Sequence, residues 1–344
     1  MKAEIYKYFF TLLLLNTISL TASSQDIHFS QFFETPLLRN PALAGIFSGD
    51  FRAQTVYRNQ WNSVTNPYQT VSINAEYKLP IGRGNDFITL GGQVLYDKAG
   101  AIALSTTYAL PALNYHKSLS SDRNMYLSLG MMGGWVQRRL DRSKMTTNSQ
   151  YGPVGYSIGS ADGETFNKTS YSYFDGSVGM SLNTQIGENT DNNIFIGLAY
   201  HHFNKAPKIS FYGNPNYEMI PKWVASTGIK MNVNSYSYLT LHADYSIQGT
   251  FKEAIAGALY SWKLDDMDDP KYVLHAGAFI RWKDALIPVV KIEIKPLSIS
   301  ASYDANLSQL TAGSKGRGGF ELALTYQKYV NRNNRMESTL CPKF

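Results

Sequence analysis

The sequence predicts an all-β protein: a transmembrane outer-membrane β-barrel of about 14 antiparallel strands, led by an N-terminal plug or periplasmic strap. Three observations carry that expectation. Apolar and polar residues alternate with a period of two through most of the chain. The alternating segments are even in number and about as long as a tilted membrane-crossing strand, ~9–11 residues. The links between them are short on one side and, at two places, long on the other.

The alternation is explicit in individual stretches. In GGFELALTYQKYV, Phe320, Leu322, Leu324 and Tyr326 share one face, and Glu321, Ala323, Thr325 and Gln327 the other. LSISASYDANL sets Leu297, Ile299, Ala301 and Tyr303 against Ser298, Ser300, Ser302 and Asp304. YLTLHADYSIQ repeats the pattern with His242 and Asp244 on the polar face. Successive side chains of a strand point to opposite faces, so each stretch has one oily and one wet side.

Strand centres fall near Val56, Ile73, Gly92, Leu113, Gly130, Val178 and Gly197, then near Ile229, Ala243, Gly257, Gly277, Val290, Ala301 and Leu324. An even count lets both chain ends face the periplasm. PIGRGND, SSD, NVNS and the turn through Lys295 and Pro296 are short links after even-numbered strands, and the acidic turn Asp265 to Pro270 lies on the same side. A Gly- and Ser-rich loop from Leu140 to Ser170 and the stretch NKAPKISFYGNPNYEMIP are long links after odd-numbered ones. Aromatics stand near strand ends, among them Tyr57, Tyr96, Trp135, Trp223, Trp262 and Trp282, where an amphipathic ring prefers the headgroup level. Soluble sandwich strands are shorter, ~5–6 residues, and no blade-length repeat points to a propeller.

The chain divides accordingly. Residues 1–24 have a lysine-bearing start, an apolar run from Tyr8 to Leu20, and small residues before Gln25. That run is too short for a membrane span and reads as a cleaved secretory signal peptide. Residues 25–50 form the plug or strap, 51–330 the barrel, and 331–344 a periplasmic tail. The stretch HFSQFFETPLLRNPALAG, His28 to Gly45, mixes aromatics and prolines with no regular period. It is too short to fold alone, yet it has apolar groups to bury.

Composition excludes several functions. Net charge is +6, but charged residues are only 17% of the chain and form no basic cluster, so no nucleic-acid partner is expected. A single cysteine, Cys341, leaves no internal disulfide despite export. There is no Gly-x-Ser-x-Gly elbow, His-Glu-x-x-His, phosphate loop or CxxC, and the chain reads as a non-enzyme without cofactor. GSKGRGG, Gly313 to Gly319, reads as a hairpin loop. His201 and His202 are adjacent on a strand and so point to opposite faces, which argues against a shared metal even with His242 or His275 nearby. A Ser, His and acid brought together by the fold, as in a barrel hydrolase, leaves no local signature to find.

The stretches DIHFSQFFETPLLRNPALAG, YRNQW, YDKAG, VQRRLDRSK, YHHFNKAP, DALIP, SYDANLSQL and CPKF resemble the PorP/SprF family across the mature chain and in the family's order. FSQF, NPALAG and the Arg-Asn-Gln-Trp run are the most specific pieces. The resemblance implies an outer-membrane protein of the type IX secretion system that is not an enzyme. Its implied partners are secreted cargo or adhesins carrying a C-terminal sorting domain, periplasmic components of the secretion machinery, and outer-membrane lipid; secretion and gliding motility are the implied roles. The final motif departs from the family in carrying Lys343 where arginine is expected, which keeps the charge but loses the planar fork.

On this reading Phe29, Gln31, Phe32, Phe33, Asn40, Pro41, Arg58 and Trp61 are the plug or partner-binding residues, with Asn40-Pro41 a turn. Tyr151, Tyr156 and Phe166 in the long loop are candidate surface contacts, and Cys341 and Lys343 mark the tail. Two other functions stay open: a channel for a small solute, which requires an unobstructed polar lumen, and an outer-membrane hydrolase, which requires a convergent Ser/His/acid cluster.

Overall fold

Fourteen strands close into one antiparallel barrel in a computed structural model. It describes residues 26–61, 66–82, 84–153, 155–157, 159–189, 191–207, 209–213, 217–308 and 316–328. The leader, the tail and Cys341 and Lys343 lie outside the described residues.

The first strands are β1 (Phe51–Gln60), β2 (Tyr68–Pro80), β3 (Phe87–Ala99), β4 (Leu104–Ser120) and β5 (Met125–Arg139). Two two-residue strands, β6 (Tyr151–Gly152) and β7 (Gly155–Tyr156), pair with each other inside the long loop. The barrel resumes with β8 (Ser170–Gln185), β9 (Asn193–His201), β10 (Lys222–Asn234), β11 (Ser237–Gln248) and β12 (Phe251–Lys263). It ends with β13 (Tyr272–Arg281), β14 (Ala285–Ile294), β15 (Leu297–Asn306) and β16 (Arg317–Lys328). Each barrel strand pairs with its chain neighbour, and β16 closes onto β1 from Phe51↔Lys328 to Gln60↔Gly319. All 14 expected centres fall within strands.

Strand lengths differ from expectation. They run to 17 residues in β4 and 16 in β8. Residues 170–176 of β8 pair only with β5, because the β9 pairing begins at Ser177. Staggered, tilted strands continue past the apolar band, so ladder length exceeds the span that alternation marks.

The barrel is inverted relative to a soluble protein. In β2, Ser72, Asn74 and Glu76 are buried while Ile73 between them is 53% exposed. In β5, Leu129 and Met131 are more than half exposed while Ser128 is buried. A continuous apolar outer face is unfavourable in water and matches the hydrocarbon of a bilayer. The links also sort as expected. The β2–β3, β4–β5, β8–β9, β10–β11, β12–β13 and β14–β15 connections fall at one rim, where β1 starts and β16 ends, and the long β5–β8 and β9–β10 connections fall at the other.

Candidate functional site

The candidate site lies inside the ring of strands, where residues 26–50 meet inward-facing side chains. Proline shapes this segment locally. Pro36 opens a one-turn α-helix, Pro36–Arg39, and Pro41 opens a 3-10 turn, Pro41–Leu43. A proline lacks the amide that a first helical turn cannot pair and arrives with its φ preset. It also pushes the preceding residue towards extended backbone, as at Asn40. Asn40 caps the second turn, its side-chain oxygen accepting from the Ala42 amide at 2.8 Å. A further 3-10 turn covers Phe32–Glu34. Turns this short are unstable alone, so the barrel wall holds their shape.

Contacts come from all sides of the wall. The amides of Ser30 and Gln31 donate to the two carboxylate oxygens of Glu321 in β16, each at 2.7 Å. Arg39 donates twice to Asp244 in β11, at 2.8 and 2.5 Å. Asn40 Nδ2 donates to the Met180 carbonyl in β8 at 3.1 Å. Asn114 of β4 donates to the carbonyls of Ala42 and Ala44, both at 2.8 Å. The Gly45 amide donates to Glu76 in β2 at 2.8 Å, and Lys78 Nζ donates to the Phe47 carbonyl. Two wall glycines make the close approach possible: a Cβ on Gly179 would stand 1.9 Å from Asn40 Oδ1, and one on Gly130 would stand 2.5 Å from the Pro41 carbonyl carbon. No side chain fits at either position while the Asn40–Ala42 turn stays in place.

Apolar packing supplies the rest. Phe29 packs with Val56, Leu95 and Ala323. Phe32 meets Phe279 edge-on at 5.5 Å, while Phe33 stacks on His242 and Phe279 at 5.6 and 5.0 Å. The Arg39 guanidinium lies 4.7 Å from the Phe32 ring and 5.3 Å from that of Phe195. Between Asp26, Leu38, Tyr108 and His202 a space of about 20 Å³ remains, room for about one water.

The buried charges are paired. Arg58 donates to the His28 carbonyl, with Asp304 at 3.2 Å and Glu321 at 3.3 Å. Arg281 reaches the Ser30 hydroxyl, Asp304 at 3.1 Å and Asp284 at 2.8 Å. Glu34 meets Lys291 at 2.7 Å and accepts from Gln54 and Thr325. Burial alone would raise the Glu34 pKa, but the Lys291 ammonium and these hydrogen bonds outweigh it and hold the carboxyl below its ordinary value. His28 is kept neutral by burial and then by Arg281 and Arg58, which hold its pKa well below 6.5.

At the long-loop end, Asp26 lies 3.1 Å from His202 Nε2 and 3.6 Å from Lys222, and Asp175 lies 2.8 Å from His202 Nδ1. Burial disfavours the imidazolium, but the Asp26 and Asp175 carboxylates outweigh it and raise the His202 pKa to about 10. Burial likewise opposes the Asp26 charge, and His202 and Lys222 overcome it, holding that carboxyl well below 3.8. A raised cationic pKa stabilises the fold fully below 6.5 and loses that contribution as pH climbs through about 10. The Asp26 contribution is present above 3.8 and fades as pH falls below it. The thermal stability of the detergent-solubilised barrel should therefore fall towards that of His202→Gln as pH rises from 6.5 through about 10. Parallel curves for the two proteins across that window would rule out this latch.

Among the sequence-singled residues, Phe29, Gln31, Phe32, Phe33, Asn40, Pro41 and Arg58 come together in the lumen. Trp61 does not: it follows β1 at the long-loop rim and meets Tyr68 edge-on at 5.2 Å. Tyr151 and Tyr156 face each other across the β6–β7 ladder, 5.7 Å between rings. Phe166 lies 5.0 Å from the Tyr212 ring. The residues not singled out from the sequence are the wall charges Asp244, Arg281, Lys291, Asp304 and Glu321. Asp244, Asp304 and Glu321 are marked only by membership of the wet face of a strand, and Arg281 and Lys291 share inward faces with the apolar Phe279, Ile287 and Val289.

The histidine expectation needs correcting. His202 lies just beyond β9 with φ +58°, outside strand alternation, so both rings turn inward and are buried. His201 meets Ser177 at 2.9 Å and the Arg39 carbonyl at 3.2 Å. Among the described residues no group of three or more His, Cys, Asp or Glu is arranged to hold a metal ion. A Ser/His/acid series does occur: Ser261 Oγ lies 2.7 Å from His275 Nδ1, and His275 Nε2 lies 3.3 Å from Glu293. Ser261 is fully buried, and β12 is paired on both edges with β11 and β13. Those ladders take up the amides that an oxyanion would need.

Three comparisons bear on this geometry. The family model for the type IX secretion system membrane protein PorP/SprF matches residues 21–326. Comparison with curated proteins finds no match. Among solved structures, the chain is similar to the Ralstonia pickettii toluene transporter TbuX, with 11% identity and a TM-score of 0.51 over 87% of this chain and 94% of that one. It is similar to a deltaS2 mutant of the monoaromatic hydrocarbon channel TodX with the same identity, TM-score and coverage. At this identity the likeness is one of barrel fold.

Proposed function

The chain belongs to the PorP/SprF family of type IX secretion system membrane proteins, and on that premise we propose that it holds or passes a secreted partner at the cell surface without acting as an enzyme. Residues 26–47 serve as a plug, so the barrel works through its two ends and not through its bore. The long-loop rim faces outward and meets cargo carrying a C-terminal sorting domain. The short-turn rim, with its acidic turn at Asp265–Pro270, faces the periplasm and the rest of the secretion machinery.

One observation carries this reading: the segment is bound to opposite walls of the lumen, with Glu321 on one side and Asp244 and Met180 on the other. A solute channel needs that space free. Non-enzymatic action is supported by the burial of Ser261 and by the ladders on both edges of its strand, which occupy the strand's backbone amides.

The test is a mild-detergent pull-down from native outer membranes with a tag inserted in the 140–169 loop, read by mass spectrometry. Recovery of a surface protein with a type IX sorting domain is expected. Recovery of the barrel alone, under conditions that preserve other complexes of the machinery, would overturn cargo holding and favour the channel.

A further inference from the structure

We infer that a basic cleft on the outer wall at the long-loop rim binds the phosphorylated headgroup of a lipid in the surrounding leaflet. The cleft encloses about 550 Å³ between the β3–β4 turn and the base of the 140–169 loop. Two sequence stretches far apart in the chain meet there, YDKAG and VQRRLDRSK.

Register sets the geometry. Lys98 pairs with Ser105 and Ser105 with Arg139, so these three residues form one row across β3, β4 and β5. Alternation puts the row on the outward face, in line with exposed Tyr96 in β3 and exposed Trp135 in β5. Two strand spacings separate the Lys98 and Arg139 backbones, about 10 Å, a gap that both long side chains can close onto one phosphate. Among the described residues neither side chain has an ion-pair or hydrogen-bond partner.

The loop adds a second tier. The Asp141 amide bonds the Ile102 carbonyl and fixes the loop base over the turn. Arg142 and Lys144 line the upper edge, Arg142 held by Asp162 at 3.0 Å and Lys144 by Asp141 at 3.3 Å. Those two cations are partly neutralised, which leaves Lys98 and Arg139 as the charges a ligand would satisfy.

The surroundings specify an amphiphile. Directly beneath the row, Tyr96 and then Val94, Trp135 and Phe174 present an exposed aromatic and aliphatic wall. A ligand at this spot has its anionic end against Lys98 and Arg139 and its apolar end along that wall, as a phosphorylated lipid does. Arginine contributes the fork that grips phosphate oxygens in pairs, and lysine a point charge.

The test uses the full barrel in phosphatidylcholine nanodiscs carrying bis-phosphorylated lipid A, read by native mass spectrometry. One retained lipid A is expected for the wild type. Each of Lys98→Gln and Arg139→Gln should weaken retention about fivefold and the pair about thirtyfold. Lys295→Gln on the opposite rim should leave it unchanged. The shift in gel mobility between heated and unheated samples establishes that each variant is folded. Equal retention by folded wild type and double variant, or equal retention of lipid A stripped of phosphate, overturns the proposal. Displacement of the lipid by submillimolar inorganic phosphate would also overturn it, because the site would then be one for free phosphate.

Discussion

Deleting residues 26–45 should convert a barrel that passes no measurable current into a long-lived open pore in planar bilayers. The fourteen-stranded wall closes on itself through β1 and β16 and does not depend on the segment for backbone pairing. The interior the segment leaves behind carries polar side chains around the wall, Asn74, Glu76, Asn114, Ser181, Asp244 and Glu321, between apolar groups such as Val56, Leu95 and Phe279 that now pack on the segment. Water fills such a space, because Asn114, Ser181, Asp244 and Glu321 lose the partners that the segment supplies and no other group replaces them. The exposed wall carries both signs, among them Arg58, Arg281 and Lys291 against Glu76, Asp304 and Glu321, so selectivity between cations and anions should be weak. A wild-type barrel that conducts like the deletion would remove the basis for the plug. So would a deletion that stays silent while showing the heat-dependent gel mobility of a folded barrel.

Much of this architecture was legible in the sequence, for a physical reason. A lipid-facing barrel reverses the usual burial, so a period-two pattern is legible along the strands, as Ile73 between Ser72 and Asn74 illustrates. Loop asymmetry was legible too, because length needs no geometry to read. The partners of the N-terminal segment were not. Phe32 and Phe33 declared that something apolar needed cover, and Asn40-Pro41 declared a turn. That Ser30 and Gln31 would be met by Glu321, 291 and 290 residues away, follows only from barrel closure. Glu321 looked like any other member of a wet strand face. The side on which His202 lies was not legible, because its positive φ breaks the strand alternation and turns the ring inward. The Lys98–Arg139 row was hidden for the same kind of reason, since cross-strand neighbours depend on register.

Glu321→Ala should be among the most damaging single substitutions in the lumen, lowering stability by about 3–5 kcal/mol, the range for removing one partner of a buried charge pair. Glu321 is 1% exposed and accepts from two backbone amides, Ser30 and Gln31, while facing Arg58 at 3.3 Å. Alanine leaves both amides without an acceptor and Arg58 with one carboxylate partner, Asp304, in place of two. Glu321→Gln keeps the volume and one acceptor oxygen, so it should lose one amide bond and the charge interaction, about 1–3 kcal/mol. The measurement is denaturant unfolding of the detergent-solubilised barrel, followed by loss of its heat-dependent gel mobility. The double variant Glu321→Gln/Arg58→Met separates pairing from packing: if the carboxylate acts chiefly by compensating Arg58, the two losses should fall short of additive. Additive losses would mean that Glu321 serves the segment's amides alone. Wild-type stability in Glu321→Ala would mean that the segment does not rest on this wall, and the plug would lose its principal hold.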